Sequence, residues 1–119
     1  MTTWSRKIEE YEADLYTIQT SWWAKLFLRS KGGEMEIKRY EGGEKRMEID
    51  LKGLKVPDGA RVSVVIDGRV EREVEIRRGY ARVRVSSTEG EPIPDVQIGS
   101  TVEIRHMGET LLEGTFKPD

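Results

Sequence analysis

Apolar residues recur along this chain with two different periods, and the period changes near Gly32-Gly33. Upstream, Trp4, Ile8, Tyr11, Leu15, Ile18, Trp22 and Leu26 follow one another at intervals of three or four, with no Gly or Pro between Trp4 and Ser30. Such spacing keeps one stripe on one face of an α-helix. Thr2 or Thr3 can cap its start. Glu9, Glu10, Glu12 and Asp14 fall in the first half and Lys25, Arg29 and Lys31 at the end, as the helix macrodipole favours. Gly32 is a natural stop. The pattern predicts a long amphipathic helix over residues 1–31.

Downstream the period falls to two. Met35 and Ile37, then Met47, Ile49 and Leu51, alternate with charged residues on either side of the turn Glu41–Lys45. Half-buried strands give this signal. Further strands are expected at Arg61–Ile66, Arg69–Arg77, Tyr80–Ser86, Thr101–His106 and Thr110–Phe116, with a long loop at Ser87–Ile98 holding Pro92 and Pro94. The expected fold is mainly β: a small seven-stranded antiparallel β-sandwich or barrel over residues 34–119, preceded by the helix.

Turn chemistry suggests registers. A two-residue loop at Arg78-Gly79 sets Val74 against Val83, Glu75 against Arg82 and Glu73 against Arg84, sorting apolar and charged pairs onto opposite faces. A two-residue loop at Asp67-Gly68 would set Val64 against Glu71. A three-residue loop, Ile66-Asp67-Gly68, is therefore expected, with Val64 against Val70. By the same logic His106-Met107-Gly108 pairs Val102 with Leu112. The two hairpins align at an offset of 40 residues: Gly59 with Gly99, Val62 with Val102, Val64 with Ile104, Gly68 with Gly108 and Ile76 with Phe116. Val56-Pro57-Asp58 partly echoes Ile93-Pro94-Asp95. A faint internal duplication, with pseudo-symmetric halves, would explain this, although hairpins also share such spacing by chance.

Composition narrows function. The 119 residues are one domain's length. At 36% hydrophobic and a net charge of −2, the chain is too apolar and too neutral for disorder driven by charge. The same balance argues against a dedicated nucleic-acid binder. No apolar run approaches the ~18 residues of a transmembrane helix. MTTWSRKIEE lacks the apolar core of a secretory signal, so a cytoplasmic location is expected. With no Cys and one His, there is no thiolate site and no multi-histidine zinc site. The absence of Asn, two Gln, and abundant Glu, Arg and Lys match the drift of thermophilic proteins, with an engineered chain as the alternative.

Candidate chemistry is sparse. His106 stands at a turn with no nucleophile or orienting acid in a motif, and reads as a turn residue. Glu89, Glu91 and Asp95 could offer oxygen ligands to a hard cation, without calcium-loop spacing. Paired carboxylates for glycoside hydrolysis are possible because Glu is abundant, but its alternation with apolar residues is that of a solvated strand face. Gly32-Gly33 and Gly42-Gly43 lack the phosphate-loop pattern and read as a helix stop and a hairpin turn. Arg72, Arg77, Arg78, Arg82 and Arg84 form the one basic cluster, interleaved with Glu71, Glu73 and Glu75, and read as a cross-strand ion-pair ladder. Arg72 has the parity of Val70, Val74 and Ile76. It either snorkels at a sheet edge or faces an acid on the helix or on a partner.

The aromatic stripe is the expected interaction surface: Trp4, Ile8, Tyr11, Leu15, Ile18, Trp22, Trp23, Leu26 and Phe27. One reading packs it on its own β domain. A second sets it against another chain, for Trp and Tyr are typical interface anchors. A third lays Trp22, Trp23, Leu26 and Phe27, beside Lys25, Arg29 and Lys31, on a membrane surface. A helix of roughly 40 Å outruns a strand of ~17–20 Å, so contact with a second copy or a protein partner is expected. The sequence thus points to a non-catalytic interaction or assembly module, without cofactor or metal. The rivals are a glycan- or ligand-binding module, with Tyr40, Tyr80 and Trp23 as spare aromatics, and an enzyme built on carboxylates.

Overall fold

The computed structural model describes residues 6–18 and 30–118. They form nine strands: β1 (Lys7–Thr17), β2 (Lys31–Tyr40), β3 (Lys45–Leu51), β4 (Arg61–Ile66), β5 (Arg69–Glu75), β6 (Ala81–Ser86), β7 (Thr101–His106), β8 (Glu109–Thr115) and the short β9 (Lys117–Pro118). One 3-10 turn, Ser87–Glu89, is the only helical element among the described residues. Eight strands follow one another in the order β5-β4-β7-β8-β1-β2-β3-β6, and β9 pairs with β1. Every pairing is antiparallel, and the sheet rolls into a barrel that closes except between its two end strands, β5 and β6.

The helix expected over 1–31 is contradicted, for none of its described residues, 6–18 and 30–31, is helical. Its first half is β1, which pairs with β2 through Tyr11–Ile37, Ala13–Met35 and Leu15–Gly33. The expected boundary between residues 31 and 34 falls inside β2. The physical reason lies in an alternation: Tyr11, Ala13 and Leu15 share one parity, and Glu10, Glu12 and Asp14 the other. In an extended chain this puts the first set on the core side. Ala13 and Leu15 are fully buried and Tyr11 packs against the core, whereas Ile8 is half exposed. The stripe is therefore split. Trp4, Trp22, Trp23, Leu26 and Phe27 lie outside the described residues, and among the described residues there is no aromatic contact helix.

The barrel interior is filled by Met35, Ile37, Met47, Ile49, Leu51, Val62, Val64, Val74, Ile76, Val102, Ile104, Leu112 and Phe116 with Ala13 and Leu15. Close backbone approach is part of this closure. A Cβ on Gly33 would lie 2.3 Å from the Asp50 carbonyl oxygen, and one on Gly114 2.2 Å from that of Asp14. Gly33 is thus a strand residue that lets β3 come near, and not a helix stop.

The β4–β5 and β7–β8 hairpins both close with two-residue turns, not the expected three. Asp67-Gly68 has φ values of 49° and 81°, Met107-Gly108 of 52° and 81°. A one-residue bulge follows each: the register shifts between Val64 and Val65 and between Ile104 and Arg105. The bulge puts Val62 against Val74 and Ile104 against Leu112 on the core side, and leaves Val65 paired with the exposed Val70 on the other. The expected pairs Val64–Val70 and Val102–Leu112 do not form; Val64 opposes Arg72 and Val102 opposes Gly114.

The offset of 40 residues extends to the hydrogen bonds. Gly59 N donates to Ile76 O at 2.8 Å and Gly99 N to Phe116 O at 2.9 Å; Ile76 N donates to Ala60 O and Phe116 N to Ser100 O, both at 2.8 Å. Between the hairpins Val64 pairs with Ile104, Ser63 with Arg105 and Val65 with Glu103. A local twofold relation exchanging the hairpins therefore passes between Val64 and Ile104.

Candidate binding groove at the open seam

The turn at Arg78-Gly79 forms as its sequence suggests, with φ values of 53° and 77°, and Arg77 and Tyr80 exchange backbone hydrogen bonds at 2.9 Å. The expected ladder stops there. Val74 opposes Val62 on β4, and Val83 opposes Ile49 on β3, so Val74 does not face Val83. The expected charge pairs fail with it. Arg82 donates to Asp50 at 2.6 Å and Arg84 to Glu48 at 2.8 Å, both on β3. Glu75 instead accepts from Arg77 at 2.6 Å, and Glu73 lies 3.6 Å from Arg61. The ion-pair ladder exists, but its acids come from the other neighbouring strand.

The two end strands diverge from the Arg77–Tyr80 bridge and leave a groove of about 800 Å³ between them. Val74, Ala81, Val83, Val85 and Leu51 give it an apolar lining, and Arg72, Glu73, Glu75, Arg77, Tyr80 and Arg82 border it. Both ends are tied by the chain's long connections. The link from β3 to β4 meets the narrow end, where Leu54 N donates to Gly79 O at 3.1 Å. The link from β6 to β7 meets the wide end, where Arg72 Nη2 donates to Glu91 at 3.1 Å. Ile93 and Val96 of that link, and Leu54 and Val56 of the other, pack against the core.

Arg72 is placed by the bulge. It stands opposite Val64, on the parity of Val74 and Ile76, and its side chain is 22% exposed. Its Nη1 atom is buried and has no hydrogen-bond partner. Of the two expectations the edge position holds, since β5 ends the sheet, whereas the acid that faces Arg72 is Glu91 of a loop and not one on a helix or on a partner.

The other candidates separate. Among the described residues, one group of carboxylates is close enough to share a cation: Glu12, Asp14 and Glu34. Lysine ammoniums already stand there, Lys31 at 3.0 Å and Lys117 at 3.2 Å from Asp14. The Lys31 ammonium beside it, before any other group, holds the Asp14 carboxyl below its ordinary range; burial opposes this and Lys117 adds to it. Of the three loop carboxylates weighed as cation ligands, Glu91 is bound to Arg72 and Asp95 to Lys45, which lowers the Asp95 carboxyl. His106 flanks the Met107-Gly108 turn, paired with Glu109. The proposed aromatic platform does not assemble: the Tyr40 ring lies under the Arg46 guanidinium at 4.7 Å, at the barrel end opposite to Tyr80, which is exposed. Trp23 is outside the described residues.

The Arg78-Gly79 turn is legible in the sequence; the groove beside it is not. The signal was present in β3, whose Glu48 and Asp50 alternate as well with Arg82 and Arg84 as do Glu73 and Glu75. Among the described residues no helix is long and apolar enough to cross a membrane. Compared with known proteins, the chain matches no family model, no curated protein and no solved structure.

Proposed function

We propose that this chain is a non-catalytic protein-interaction module that takes an extended segment of a partner protein into the seam between β5 and β6. One observation carries the reading: both free edges of the sheet border one groove with an apolar lining. A free edge presents unpaired N–H and C=O groups, a ready template for another strand. Strand addition draws affinity from those groups and specificity from pockets for alternate side chains. Here the core-side pockets are bounded by Val74 and Val83, and the outer rim by Glu73 and Glu75 on one side and Arg82 on the other. Because β5 and β6 run antiparallel to each other, a single inserted segment runs antiparallel to one and parallel to the other.

The rival chemistries find less support. The groove is lined by no Ser, Thr, Cys or His, and each carboxylate lining it is ion-paired: Asp50 with Arg82, Glu75 with Arg77, Glu73 with Arg61 and Glu34 with Lys31. Within this proposal the module works in water, since the outer positions of β1, β2, β3 and β6 carry charged side chains such as Glu12, Glu36, Glu48 and Arg84. The test is a selection of random heptapeptides displayed with free C-termini against the intact protein, followed by amide chemical-shift mapping of a recovered peptide. Shifts concentrated on β5 and on residues 80–85 are expected. Shifts confined to another face, or no recovered binder, overturn the proposal.

A further inference from the structure

Resting on the strand-addition reading, we infer that the segment received by the seam carries a carboxylate that Arg72 binds. A guanidinium offers five N–H donors in a planar fork. Glu91 takes one of them, at Nη2, from a loop side chain that is itself 42% exposed. The Nη1 side of the fork is buried and unmatched at the wide end of the groove. The core-side positions around it are apolar: Val64 stands opposite on β4, Val74 two residues on along β5, and Val83 and Val85 line the β6 side of the groove. None of these side chains can accept a hydrogen bond. A buried donor left unmade is costly, and the strongest match for a guanidinium is a carboxylate, which binds it with two parallel charge-assisted bonds.

Register makes the inference specific. Arg72 and Val74 share the core side of β5 at a spacing of two residues. A segment lying along β5 therefore meets Val74 with one core-side residue and Arg72 with the next, two positions away. The recognised pattern is an apolar residue and a carboxylate separated by one outward-facing residue. The carboxylate comes from an Asp or Glu side chain or from the segment's own C-terminus.

The experiment repeats the heptapeptide selection on the wild type and on Arg72→Gln. Wild-type binders are expected to hold an acid, or to end, at one fixed position, and this preference disappears on R72Q. A recovered peptide resynthesised with Gln for its acid binds the wild type at least about tenfold more weakly and R72Q equally; resynthesis as a C-terminal amide separates the two carboxylate sources. Glu91→Ala, which removes the acceptor and frees the whole fork, is expected to tighten the acidic peptide several-fold, and it keeps the inference testable should R72Q fold poorly. Seam-bound peptides with no acidic preference overturn the role of Arg72 and leave strand addition standing. An absence of binders overturns both.

Discussion

Val74 and Val83 share one side of the sheet but stand on separate ladders, Val74 against Val62 and Val83 against Ile49. The tight turn that links their strands pairs only Arg77 with Tyr80, and β5 and β6 then part. That parting leaves the barrel with two free edges and supplies the groove.

The register is directly measurable. Backbone nuclear Overhauser contacts are expected between β5 and β4 around Val74–Val62, and between β6 and β3 around Val83–Ile49. A Val74–Val83 contact would mean that the barrel is closed in solution. The outward pairs add little energy. Arg84 and Glu48 are 63% and 30% exposed, and after allowance for solvent screening Arg84→Ala should cost under ~1 kcal/mol in urea unfolding.

Leu15 and Ile8 separate strand from helix. On a helical stripe they are equivalent, seven residues apart on one face. On β1 Leu15 is fully buried and Ile8 is 51% exposed. Leu15→Ala should therefore cost ~2–5 kcal/mol, as large-to-small changes in a packed core do. Ile8→Ala should stay within ~0.5 kcal/mol. Equal effects in chemical denaturation would restore the stripe.

What the sequence showed, and what it hid, follows from how local each signal is. The strands from β2 to β8 were legible because apolar and polar residues alternate along most of their length and their turns carry Gly at the left-handed position, as at Gly68, Gly79 and Gly108. β1 was not. Its inward residues are Tyr11, Ala13 and Leu15, and Ala13 is too small to register as apolar and too good a helix former to suggest a strand. Its strand state comes from pairing with β2 on one side and with β8 and β9 on the other, which is tertiary context. The bulges were hidden for a related reason. In an unbulged ladder a two-residue turn at Asp67-Gly68 would face Val64 with Glu71, and one inserted residue removes that conflict. Of the groove, the turn and the odd parity of Arg72 were readable. The choice of β3 over β5 as the partner of β6 was not, since both strands offer acids at alternate positions.

Acid should weaken the fold through Asp14. Its carboxyl is held below the ordinary range, first by the neighbouring Lys31 ammonium. A depressed folded-state value means that the stabilisation is present above the unfolded value of ~3.9 and is lost as pH falls through the folded one. Lys31, raised chiefly by Asp14, holds its own contribution until pH climbs through its elevated value. The denaturation midpoint of the wild type should therefore drop below about pH 4. Asp14→Asn should flatten that limb while lowering the midpoint at neutral pH. A limb as steep in the variant as in the wild type would assign the acid sensitivity to other carboxylates.

Met107 offers a gain in stability. It holds φ 52° at the first position of its two-residue turn and is 92% exposed, so it carries backbone strain with little packing in return. The left-handed region costs an ordinary L-residue roughly 1–2 kcal/mol, and Asn is the side chain other than Gly that visits it most readily. Two-residue turns with both φ positive favour Asn-Gly or Asp-Gly. The related hairpin already holds Asp67 at the equivalent place, φ 49°, where its carboxylate also accepts from Thr101 N at 2.9 Å. Met107→Asn should thus raise the unfolding free energy by up to ~1 kcal/mol, with the β7–β8 register unchanged. The check is a urea titration beside an amide spectrum: a lower midpoint, or amide shifts spreading along β7 and β8, would show that the turn is not of this kind and that the two hairpins are not built alike.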